Sequence, residues 1–124
     1  MSCPYLPLVP WIGIMGRNKN GGLMLLSHTV FFTLKEPTEQ NIDRLVAECN
    51  KWLKGAEGLV YYGAGKRAAE YARPVNDTEF HVVLNTVFDS KAAHDAYQPS
   101  ANHKAFVKAN KETWARVRVF DAEI

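Results

Sequence analysis

The sequence predicts an α+β sandwich of the order β-α-β-β-α-β, an antiparallel four-stranded sheet with helices packed on one face. Three observations predict it. Stretches rich in β-branched and aromatic residues stand at 27–35, 58–66, 78–88 and 114–124. Segments with helical spacing separate the first stretch from the second and the third from the fourth. The central stretches are apolar on both of their alternating faces, so one face needs the helices and the other needs a further cover.

The first strand, SHTVFFTLK, places His28, Val30, Phe32 and Leu34 on one face and Thr29, Phe31, Thr33 and Lys35 on the other. Pro37 ends it, and Thr38 is an N-cap for the helix that follows. In that helix Ile42, Leu45, Val46, Cys49 and Leu53 recur on one side, and Gly55 is expected to stop it. GLVYYGAGK, residues 58–66, is the second strand, with glycines that suit a bulge or a close approach. Its GAGK lacks the spacing and the Ser or Thr of a phosphate-binding loop. RAAEYARPVNDT is a loop, and TEFHVVLNTVF, residues 78–88, is the third strand. Strict alternation there puts Phe80 with Val82, Leu84, Thr86 and Phe88, and His81 on the opposite face in a structural role.

Asp89 or Ser90 caps a short helix that runs to Tyr97, where Pro99 breaks it. Ser100 caps a second helix, in which His103, Phe106, Val107 and Asn110 face inward; His94 falls off the inward direction and is expected in solvent. WARVRVFDAEI closes the chain as the fourth strand. The whole is a ferredoxin-like sandwich, and the cheapest cover for its second face is the same face of another copy, a homodimer in which two sheets close into a barrel.

The chain has 124 residues, 47% of them apolar and 23% charged, with a net charge of +2, which fits one globular domain. Lys and Arg are scattered, so nucleic acid is not expected as a partner. Cys3 and Cys49 show no zinc-type spacing with each other or with histidine, so no metal is expected. Cys49 on the apolar helix face is expected as a buried free thiol, and with it a cytoplasmic setting. YLPLVPWIGIM, residues 5–15, is too short to span a bilayer, so no membrane partner is expected. Residues 1–23 are expected as an N-terminal extension and residues 24–124 as the domain.

Residues 27–122, about three-quarters of the chain, resemble the stress-responsive dimeric α/β-barrel (Dabb) family. The resemblance rests on SHTVFFTLK with its early histidine, on EFHVVLNTVFDS, on AYQPSANHKAFV and on the closing VRVFD. It implies homodimers of ferredoxin-like subunits. The branch that includes plant olivetolic acid cyclase works by aldol condensation without metal or organic cofactor, and its motif histidine, tyrosine and second histidine fall on His28, Tyr97 and His103. The branch has a His-Pro pair three and four residues after the tyrosine, whereas here Pro99 comes at two, so its polyketide specificity does not carry over.

The resemblance implies a cofactor-independent cyclase, lyase or isomerase acting on a small carbonyl compound, with His103 as base and Tyr97 and His28 as orienting donors. Phe32, Leu34, Phe106 and Val107 would wall the pocket. A helix N-terminus favours a neutral, proton-accepting ring at His103. Two alternatives use the same fold. One is a non-catalytic stress-response or ligand-binding dimer in which the three residues hold a corner together. The other is a barrel like the haem or quinone monooxygenases.

Overall fold

The computed structural model describes residues 24–124, so the expectations for residues 1–23 lie outside the described residues. The elements are β1 (Leu26–Leu34), α1 (Glu39–Trp52), β2 (Leu59–Lys66), β3 (Val82–Phe88), α2 (Lys91–Tyr97), α3 (Ala101–Asn110), a 3-10 turn and β4 (Trp114–Glu123). The sheet order is β2-β3-β1-β4 and every neighbouring pair is antiparallel. This is the expected ferredoxin-like sandwich, with β1 and β3 at the centre.

The period-2 pattern of β1 decides which side is core. Leu26, His28, Val30, Phe32 and Leu34 are buried under the helices, and the residues between them are only half-buried. Val82, Leu84, Thr86 and Phe88 continue that buried face on β3. Leu45, Cys49 and Leu53 of the α1 segment close over it, with Phe106 from α3. Burial pushes the Cys49 thiol up to about 12, which makes it a packing residue rather than a nucleophile. Asn110 is fully buried and ties α3 to α1: its side-chain amide donates to Glu48 at 3.0 Å and its oxygen accepts from Arg44 at 3.3 Å.

The helix caps follow the sequence. Thr38 accepts from the Asn41 amide, Ser90 from Ala93 and Ser100 from His103. Pro99 stands between the last two helices, and with α3 beginning at Ala101 the chain turns a corner there. α1 ends at Trp52 with Leu53 as its C-cap, earlier than a stop at Gly55 would put it. Among the described residues the glycine with left-handed backbone is Gly58, at φ 88°.

β3 is shorter than alternation alone predicts. It starts at Val82 because the His81 ring accepts the Leu34 amide at 3.0 Å, and the residues before it are irregular. Phe80 therefore leaves the Val82 face and packs edge-to-face on Phe31, with ring centroids 4.8 Å apart, on the side of the sheet away from the helices. The loop between β2 and β3 is tied down at several points. Asn76 accepts from Arg73, and Arg118 pairs with Asp77 at 2.7 Å.

Candidate functional site

The site is built where β1 and β4 pass beneath the α2–α3 corner. His28 pairs in register with Asp121 of β4 on one side and Thr86 of β3 on the other, so all three side chains rise on the helix-covered face. Thr86 donates to the His28 carbonyl at 2.6 Å and fixes the strand. His28 Nδ1 donates to Asp121 Oδ1 at 2.5 Å. A neutral ring that donates from Nδ1 keeps its lone pair on Nε2, and in that tautomer His28 offers an acceptor. Burial holds the His28 pKa below the ordinary histidine value, although Asp121 pulls the other way.

Above His28 stands Tyr97, the last residue of α2, with ring centroids 6.1 Å apart. Its own ring meets His103 edge-to-face at 4.8 Å, across the corner that Pro99 makes. Two side chains six positions apart thus converge because the helix is broken between them. Burial raises the Tyr97 pKa, so the phenol keeps its proton and can donate. Burial lowers the His103 pKa, and the charges of His28 and His94 lower it further, while a hydrogen bond to the Gln98 backbone opposes both. His103 is thereby held toward its neutral form.

All three residues line one cavity of about 420 Å³, together with Val30, Phe32, Phe106, Val107, Trp114, Val117 and Val119. Its walls are mostly apolar and its polar groups converge, the usual make-up of a small-molecule site. A larger hollow of about 660 Å³ on the other side of the corner shares Tyr97 and His103 but not His28, and backbone turns with Asp89, Glu57 and Asn102 form much of its wall. We assign the candidate site to the smaller cavity, since of the two it is the one that gathers the three polar side chains.

Of the residues expected on the walls, Phe32, Phe106 and Val107 are there. Leu34 is not. It is buried at the far end of β1 and borders a separate hollow beside Lys35, Glu36 and Arg44. His94 is not in solvent either. Its ring lies 4.7 Å from that of His28 and 5.6 Å from that of Phe88, centroid to centroid, and it lines the cavity. Helical spacing places it one position from the inward direction, but α2 has only seven residues and His94 packs against His28 and Phe88 of the sheet. Asp121 and Trp114 were not singled out by sequence. The register of β4 against His28 was the signal that could have found Asp121.

The model of the stress responsive A/B barrel domain family, Dabb, matches residues 26–124. No curated protein matches the sequence. Among solved structures, a Dabb family protein with a ferredoxin-like fold from Mesorhizobium loti is 23% identical, with a TM-score of 0.66 over 80% of this chain and 95% of that one. A dimeric ferredoxin-like protein of unknown function from Thermobifida fusca is 15% identical, with a TM-score of 0.68 over 87% and 98% of the two chains. The hydroxynitrile lyase from Passiflora edulis is 19% identical, with a TM-score of 0.65 over 81% and 93%. These similarities establish a shared fold.

Proposed function

The chain belongs to the stress responsive A/B barrel domain (Dabb) family, and on that premise we propose that it binds a small carbonyl compound and acts on it by proton transfer, as a cofactor-independent lyase, cyclase or isomerase. The observation that carries this reading is the convergence of His103, Tyr97 and His28, from two helices and a strand, on one apolar cavity. His103 takes a proton from the carbon beside the carbonyl, and the Tyr97 hydroxyl donates to the oxygen on which charge develops. His28, oriented by Asp121, accepts a proton at Nε2 and can return that same proton to the ligand. Phe32, Phe106 and Val107 keep water away and hold the apolar part of the ligand. A similar fold in a hydroxynitrile lyase supports a lyase among these reactions.

Two copies complete the molecule in this reading. Phe31, Phe80 and Phe120 form an aromatic cluster on the sheet face away from the helices, and the Thermobifida fusca protein of similar fold is described as dimeric. The buried thiol of Cys49 suits a cytoplasmic, reducing setting.

Hydrogen–deuterium exchange at the central carbon of an acyclic β-dicarbonyl, followed by proton NMR in D2O, tests the chemistry. Exchange above background that falls about 10²-fold or more in His103→Gln is the expected result. Ligand-induced shifts with no exchange would instead make the protein a binding dimer, and neither would remove the reading altogether.

A further inference from the structure

Three donor-bearing side chains, distant in sequence, meet at the mouth of the cavity. His28, His94 and Asp121 each offer one ligand atom, and those atoms lie within 4.8 Å of one another. We propose that they bind a divalent transition-metal ion, two imidazoles and one carboxylate on one side of the ion with the remaining positions open to the cavity. The inference goes beyond the proton-transfer reading and stands without it.

The geometry carries it in four steps. First, the separations suit an ion. Donors on a four-coordinate ion with bonds of 2.0–2.1 Å lie about 3.3 Å apart, and the His28 Nδ1 to Asp121 Oδ1 and His94 Nε2 to Asp121 Oδ1 separations are 2.5 and 4.0 Å, on either side of that value. Second, one ring has its tautomer set. Asp95 accepts from His94 Nδ1 at 3.2 Å, which leaves His94 Nε2 unprotonated; there it accepts from the Gln98 side-chain amide at 3.2 Å, a hydrogen bond that an ion would replace. A carboxylate behind a ligating imidazole is the arrangement that fixes tautomer and ring direction at metal sites. Third, the backbone beneath is rigid. His28 lies at the sheet centre between Thr86 and Asp121, and its ring packs on Phe88. Fourth, the three ligands line the same cavity as Tyr97 and His103, so the open positions face a place where a ligand oxygen could sit.

The donor set names the metal class. Two imidazole nitrogens and one carboxylate favour Zn²⁺, Fe²⁺, Co²⁺ or Ni²⁺, whereas Mg²⁺ and Ca²⁺ want oxygen donors. On binding, the ion takes the place of the proton between His28 and Asp121. That proton moves to His28 Nε2, so the neutral ring changes tautomer and no net proton is lost. Sequence spacing did not show the site because the ligands come from β1, α2 and β4 and form no short motif.

The test uses the full chain after chelator treatment. Co²⁺ is added and the visible absorption of the ion is followed, with Zn²⁺ by titration calorimetry beside it. One Zn²⁺ per chain is expected, with visible Co²⁺ bands that His94→Ala weakens at least tenfold. Asp121→Asn, which keeps the side-chain shape, should weaken Zn²⁺ similarly, and circular dichroism of both variants checks the fold. Absence of binding at millimolar Zn²⁺, binding unchanged in folded His94→Ala, or equal binding of Mg²⁺ would each overturn the proposal. Because the readout is the ion itself, failure here leaves the exchange experiment on His103 untouched, and the reverse also holds.

Discussion

Burial lowers the proton affinity of both His28 and His103 in the folded chain, and this ties stability to pH at the level of single residues. An unfolded histidine titrates near pH 6.5. As pH falls through that value, the unfolded chain takes up protons that the folded chain resists, so these two residues make stability fall. The loss ends once the lowered folded values are also passed, and above about pH 7 their effect is flat. In metal-free buffer the thermal midpoint should therefore rise from pH 5 to pH 7 and then level off. His103→Gln should flatten part of that rise, as followed by circular dichroism across the same buffers. A variant with the full wild-type slope would mean that His103 titrates normally, and with it would go the argument for a neutral base set by burial. His28 is the harder residue to vary, since its buried ring also holds Asp121.

At the scale of elements, the placement of α2 decides whether Tyr97 and His94 reach the cavity, and one glycine governs that placement. Gly58 precedes β2 with a left-handed backbone, and a Cβ built on it would lie 2.5 Å from the Ala93 Cβ of α2. Gly58→Ala meets both the backbone penalty and the clash, and should cost about 1–3 kcal/mol, read as a midpoint lowered by several degrees. Gly55→Ala is the matched control, because nothing lies within 4 Å of its built Cβ and its φ is not left-handed. Equal losses in the two would place the constraint elsewhere. The elements themselves were legible in the sequence, because alternation, helical spacing and Thr38, Ser90 and Ser100 all pointed the same way. The start of β3 was not, since a ring-to-amide hydrogen bond from Leu34 to His81 displaces the ladder there and no local pattern encodes it. Within the site, the Tyr97–His103 pair was legible from the proline between them. Asp121 and the inward side of His94 depended on strand register and on how α2 packs against the sheet, which are tertiary facts.

At the scale of the whole molecule, the sheet has two faces and the helices cover one. On the face away from the helices Phe31 stacks edge-to-face with Phe80 and with Phe120, at 4.8 and 5.6 Å between centroids, and Arg118 lies 5.9 Å from the Phe31 ring centroid. Val83 and Val87 of β3 stand beside them, while Phe120 and Tyr61 remain more than half exposed in the single chain. A contiguous patch of this kind loses free energy in water and gains it against an apolar partner. A two-fold pairing of identical faces also sets each aromatic cluster near its copy. Light scattering of the wild type at micromolar concentration should give twice the mass of one chain. Phe120→Glu puts a charge into the middle of that contact and should shift the mass toward one chain. Thr29, the β1 residue opposite Phe120, serves as the milder comparison, since Thr29→Ser on the same face should leave the mass unchanged. A wild type that scatters as a single chain would mean that this face does not need a second copy to cover it. The cavity beneath the helices would then be complete within one chain, and the aromatic cluster would be packing on one sheet rather than half of an interface.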